Sequence, residues 1–171
     1  ARDGSPAALG VEWERDTLRI RALEGLQRRP EAQQIRWRLF EQTLDVDILR
    51  GYLKALPDFE DDEALERAHA LVRAHPSAAM ALRFLVEWPD LKRAEALITT
   101  RLAEFDGRDY EILEAAADAL AEPAPHAASL LLRCMIDSVL ERGSSSAYGH
   151  IARCLTVCEA LAARVDWRAA G

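Results

Sequence analysis

His150, Cys154 and Cys158 fall four residues apart, so on a helix they project near one side. With Cys134, on what reads as the partner helix, they form a set of ligand types that hold zinc or copper. The same residues offer a second chemistry, a cysteine nucleophile activated by histidine. Cys154 next to His150 has the spacing, yet no third group is evident to orient the base. Packing is the competing role, because Cys158 sits on the apolar stripe of its helix, where a free cysteine behaves as a small hydrophobe. Zinc modules bring their ligands from knuckles or turns, not three from one long helix. The chain has no GxSxG elbow, glycine-rich phosphate loop or HExxH. Packing is the favoured role, and no metal, cofactor or catalytic residue is expected.

The other titratable groups read structurally. The acidic run from Asp58 through Glu60, Asp61, Asp62 and Glu63 lacks the alternating ligands and central glycine of a calcium loop. It suits the first turn of a helix, where negative charge complements the dipole. His69 and His75 fall toward the end of that helix, and His126, beside two prolines, reads as an exposed loop residue. Arg28, Arg29, Arg36 and Arg38 cluster, but Glu31 and Glu41 flank them, as on a solvated helix face. Trp13, Trp37, Trp88, Trp167, Tyr52, Tyr110 and Tyr148 are scattered along the chain. Trp37 and Trp88 are expected in the core. Exposed members of this set, with arginines, would anchor a partner. The candidate anchors are Arg50, Tyr52, Arg83, Tyr110, Tyr148 and Arg153.

The elements that position these residues are helices. The segment Ser129–Val165 reads as a pair of helices, and in the first Ala128, Leu132, Met135, Ile136, Val139 and Leu140 keep a three-four spacing, broadened by Leu131. Gly143 stands where a left-handed C-cap is needed, and Ser144, Ser145 and Ser146 can cap the next helix. Tyr148, Ile151, Ala152, Leu155, Cys158, Ala162 and Val165 give the last helix its expected stripe. So short a turn makes the pair antiparallel.

Earlier segments repeat the device. A first helix is expected from Val11 to Arg28, with Trp13, Ile20, Leu23 and Leu26 in the core. A second follows Pro30, with Ala32, Ile35 and Leu39. Asp45 caps a third carrying Val46, Leu49, Leu53 and Leu56, and Pro57 ends it. A fourth runs through Leu65, Ala68, Leu71 and Val72 to His75. Ser77 caps a fifth to about Trp88, and Asp90 a sixth with Leu91, Ala94, Ile98, Leu102 and Phe105. A seventh spans about Asp109 to Glu122. Pro30, Pro57, Pro89 and Pro123 are 27, 32 and 34 residues apart. A two-helix repeat of that length predicts an all-α fold, about nine antiparallel helices in a tetratricopeptide-like α-solenoid, with an irregular helical bundle as the alternative.

Composition agrees with one domain over residues 1–171. Half the residues are hydrophobic and 30% charged, which excludes disorder. No apolar run reaches a membrane span, and no signal-peptide core begins the chain. A net charge of −7 argues against nucleic acid as partner. Three cysteines within helices make no disulfide framework, so a cytoplasmic location is expected. The chain opens at Ala1 and enters a helix quickly, which raises the expectation of a missing upstream region.

Three strings, RALEGLQRRPEAQQIRWRLFEQTL, LRGYLKALPDFEDDEALERAHALVRAHP and LLLRCMIDSVLERGSSSAYGHIARCLTVCEALA, resemble an uncharacterised bacterial family carrying a domain-of-unknown-function label. The likeness covers most of the chain and is strongest over Leu130 to Leu161. Family members are usually longer at the N-terminal end, which implies sequence upstream. The C-terminal hairpin more weakly resembles helical tails of bacterial SWIM-type zinc-finger proteins, whose zinc-ligand motif is absent here. The resemblance implies a fold and carries no activity.

The favoured function is a non-catalytic interaction module that docks a protein segment or helix along a groove between helices. A metal-binding or thiol-dependent enzyme at the C-terminal hairpin, and a structural half of a larger protein, are the alternatives. Oligomeric state is left open, although an open helix stack invites self-association unless capped, here by the polar tail Asp166–Gly171.

Overall fold

The computed structural model describes the backbone of residues 6–57, 59–143 and 148–164, with side chains from residue 13 onward. Among the described residues it is all helical, with nine α-helices, one short 3-10 turn and no strand. The expected capping role of Ser144 to Ser146, the stripe position of Val165, the place of Trp167 and the tail from Asp166 lie outside these residues, as does Asp58.

The chain divides into two compact units, residues 1–72 and 73–171. In the first, α1 (Pro6–Gly25) packs on α2 (Arg29–Thr43), and α2 on α3 (Val46–Lys54). Their core joins Ile20 and Leu23 of α1 to Ala32, Ile35 and Leu39 of α2. Leu44, in the left-handed conformation, ends α2 by returning its N–H to the Phe40 carbonyl. Asp45 then caps α3, accepting from the Ile48 N–H at 2.9 Å. Next comes α4 (Asp61–Ala74), whose first turn carries Asp61, Asp62 and Glu63 as its dipole favours.

The second unit begins with α5 (Ala78–Glu87) and α6 (Leu91–Arg101), which pack on each other. Ser77 caps the former through the Met80 N–H, and Asp90 the latter through the Arg93 N–H. A 3-10 turn, Leu102–Glu104, leads to α7 (Tyr110–Leu120), α8 (Pro125–Arg142) and α9 (Tyr148–Ala162), and α8 packs on both of its neighbours in the sequence. Arg164, just past α9, pairs with Glu122, just before α8, at 2.8 Å, so these two helices run antiparallel. Pro125 opens α8 where a missing N–H costs nothing, and Gly143 (φ +62°) closes it as expected. Eight of the residues in α8 are buried, from Ala127 to Val139, because neighbours cover it on more than one side.

Several expected core positions are on the surface. Trp13 is 40% and Leu26 67% exposed, the latter lying beyond the end of α1. In α9 the buried set is Ile151, Cys154 and Leu161, with Cys158 half-buried, whereas Tyr148, Ala152 and Leu155 face outward. The last helix packs mainly on one neighbour, so only a narrow face is covered. Leu140 is exposed for a related reason, at the end of α8. In α3 Tyr52 is buried and Leu53 only half-buried. Phe105 is buried in extended backbone, not in a helix. His69 is buried within α4 and not at its end, and His126 belongs to the first turn of α8. No helix among the described residues is long and apolar enough to cross a membrane.

Candidate functional site

Within residues 73–171, His150 gathers the groups that the sequence singled out. Its ring meets Tyr110 edge-on, with centroids 5.3 Å apart. An Nη of Arg153 lies 3.4 Å from His150 Nδ1, and Cys154 Sγ lies 3.6 Å from Nε2. A guanidinium only donates, so Nδ1 accepts and Nε2 carries the proton toward sulfur. The Tyr110 hydroxyl accepts from Arg142 at 2.6 Å, which ties α7 to the end of α8. Tyr148 is exposed at the start of α9.

This geometry does not assemble the four-ligand set. Cys134 points elsewhere, with Sγ 3.5 Å from the Phe105 carbonyl, and no group of three metal-capable side chains exists among the described residues. Burial pushes the thiols of Cys134, Cys154 and Cys158 above their ordinary range. Neighbouring carboxylates add to this, Asp137, Asp106 and Asp109 at Cys134 and Glu114 at Cys154. A nucleophilic cysteine requires the opposite, a lowered pKa.

Within residues 1–72 a different arrangement emerges around Trp37, which is half-buried, not enclosed in the core. Position 37 on α2 places the indole beside Phe40 (5.6 Å between centroids) and Tyr52 of α3 (5.1 Å). Its Nε1 donates to Glu41 one turn later at 2.5 Å. The guanidinium of Arg67, from α4, lies 3.8 Å from the indole centroid and donates to the Tyr52 hydroxyl at 2.9 Å. Arg38 stands beside them and donates to the buried Asp16 carboxylate of α1 at 2.7 Å. Trp37, Arg38, Glu41, Tyr52 and Arg67, with Pro30, Gln33 and Gln34, line a cleft of about 340 Å³.

The six proposed anchors therefore part company. Tyr52 is a wall of this cleft through its ring and hydroxyl but is buried, so it is a core residue and not a surface anchor. Arg50 is exposed and pairs with Asp47 at 3.1 Å. Arg83 is half-buried, 3.8 Å from Glu87. Tyr110 and Arg153 meet through His150, and Tyr148 stays at the surface. Arg67 escaped the sequence reading because its partners are distant in the chain. Trp37–Glu41, at helical spacing, was a legible signal. Trp88, the other expected core tryptophan, is half-buried and stacks on Phe84 at 5.8 Å.

No curated protein and no solved structure matches the chain. A family model covers nearly all of it, residues 3–170. The chain belongs to that family, described as a Family of unknown function (DUF6880).

Proposed function

We propose that this chain is a bacterial, cytoplasmic, non-catalytic interaction module of tetratricopeptide-like helix pairs that docks a protein segment. The observation that carries it is the Trp37 cleft. Trp, Tyr and Arg dominate interface energetics, because they join large contact area to hydrogen-bonding tips. Here a half-buried Trp37 offers an indole edge, Arg67 stacks on its face, and Arg38 and the exposed Gln34 stand at the rim. The cleft walls are helical and braced by Glu41, Tyr52 and Asp16, so little ordering is needed on binding. Thiols held protonated by burial weigh against the thiol-enzyme alternative.

A photo-crosslinking residue at Gln34, introduced in cells that express the protein, tests this reading. A defined protein partner is expected, lost when Arg67 is changed to Glu on a chain that keeps its helical circular dichroism. The absence of any crosslinked protein, or a crosslink indifferent to Arg67→Glu, would remove the cleft as a docking site.

A further inference from the structure

A second cavity in residues 1–72, of about 490 Å³, is bounded by the end of α1, the first turns of α2 and the end of α3. Its polar lining is Glu24, Arg29, Gln33, Arg36 and Lys54, with Gly51 in the wall. Three cations thus face one carboxylate, in a chain whose net charge is −7. Arg36 is not on a solvated face, its side chain being 14% exposed. Glu24 accepts from one of its terminal nitrogens at 2.7 Å and Gln33 Oε1 from the other at 3.0 Å. Gln33 is itself fixed, donating to the Tyr52 carbonyl at 2.8 Å. The guanidinium is therefore held in place while part of its donor fork stays available. Arg29 and Lys54 are exposed, and their side chains make no hydrogen bond or ion pair among the described residues.

Gly51 adds an independent observation. A glycine inside a helix costs roughly 0.5–1 kcal/mol relative to alanine. At this position an added Cβ would lie 3.4 Å from Arg36 Nε, on the cavity wall. Glycine keeps the space beside the fixed guanidinium open, at a cost in helix stability.

We propose that this cavity binds a small dianionic molecule with oxyanion groups, a phosphate ester or a dicarboxylate. Arg36 supplies a preorganised planar fork, and Arg29 and Lys54 supply mobile charge that closes on the anion. The excess of two cations over Glu24 matches a dianion. The volume lies in the range of small-ligand pockets, roughly 300–1,000 Å³, so a metabolite-sized molecule fits rather than an ion alone. This cavity shares Gln33 with the docking cleft, but neither reading depends on the other.

Calorimetric titration and thermal unfolding of the whole chain with inorganic phosphate and with succinate test it, at an ionic strength fixed with sodium chloride. Saturable binding and a rise in unfolding midpoint are expected. The double variant Arg29→Gln/Lys54→Gln weakens binding roughly 10-fold or more, whereas Arg133→Gln on α8 leaves it unchanged. Gly51→Ala, which suits a helix, weakens binding without lowering the midpoint of the ligand-free protein. Binding of phosphate alone identifies a phosphate ester, of succinate alone a dicarboxylate, and of both the shared oxyanion chemistry. No saturable binding of either anion, a shift that sodium chloride reproduces, or binding of equal strength in the double variant overturns the proposal.

Discussion

Gly107 lies so close to the backbone of Cys134 that an added Cβ would sit 2.3 Å from the Cys134 carbonyl oxygen and 2.5 Å from Ser138 Cβ. The loop before α7 therefore presses flat on α8 with no room for a methyl group. Gly107→Ala is expected to destabilise by about 1–3 kcal/mol, the usual range for overpacking. Urea denaturation checks it. Adding Ser138→Gly should not restore stability, because the carbonyl contact remains; full rescue would place the strain in the side chain instead.

Arg101 closes the end of α4 from the last turn of α6. It donates to the carbonyls of His75 at 2.9 Å and Arg73 at 3.3 Å, and Glu104 holds its other face. Such carbonyls have no partner in their own helix. Arg101→Ala is expected to cost about 1–2 kcal/mol, and Arg101→Lys to recover only part of it, since one ammonium cannot reproduce the fork. Thermal unfolding midpoints of the three proteins provide the measurement.

The caps at Asp45, Ser77 and Asp90 were legible in the sequence because cap and partner N–H lie within one turn. The helices followed from them and from the prolines. Positions that depend on neighbours distant in sequence were not legible. Four arginines beside glutamates looked like a solvated face, yet Arg36 lies between Glu24 of α1 and Gly51 of α3. Likewise the leucines of α9 suggested a stripe through Leu155, whereas Cys154, one residue earlier, is buried. Periodicity gives the width of an apolar face but not how many neighbours cover it.

The three thiols should react slowly with a disulfide reagent. Burial raises each above the ordinary value of 9.0, so at pH 8 the thiolate fraction is smaller than for free cysteine. Cys154, buried beneath His150 and near Glu114, is expected to be the slowest. Denaturant should release all three at the rate of free cysteine. A fast-reacting thiol in the folded protein would revive the nucleophile reading.

Asp106 pairs with Arg108 through side-chain and backbone hydrogen bonds, which hold its carboxyl down from 3.8 to about 2. A depressed carboxyl stabilises the fold fully above its unfolded value and loses that contribution as pH falls through its folded value. The loss from this group therefore falls between about pH 4 and pH 2. Carboxylate NMR should show Asp106 titrating near the bottom of that window. Arg108→Gln should return it toward 3.8, and high salt should move it the same way, because the pair is exposed.

Asp16 supplies the sharpest test of how the first unit is braced. Its carboxylate is 7% exposed, and Oδ2 accepts from Arg38, whose own side chain is 49% exposed. Oδ1 has no hydrogen-bond partner, and the Arg15 guanidinium lies 3.7 Å from it. Removing the arginine leaves a buried charge without its main donor, whereas removing both leaves none. Arg38→Ala is accordingly expected to destabilise by about 2 kcal/mol, below the usual loss for a fully buried pair because half of Arg38 reaches solvent. Asp16→Asn placed on top of Arg38→Ala should then recover part of that loss. A double-mutant cycle from denaturation curves measures the coupling. Additive effects would mean that Arg38 braces α1 through packing of its stem rather than through its charge, and the rim of the Trp37 cleft would keep a mobile arginine.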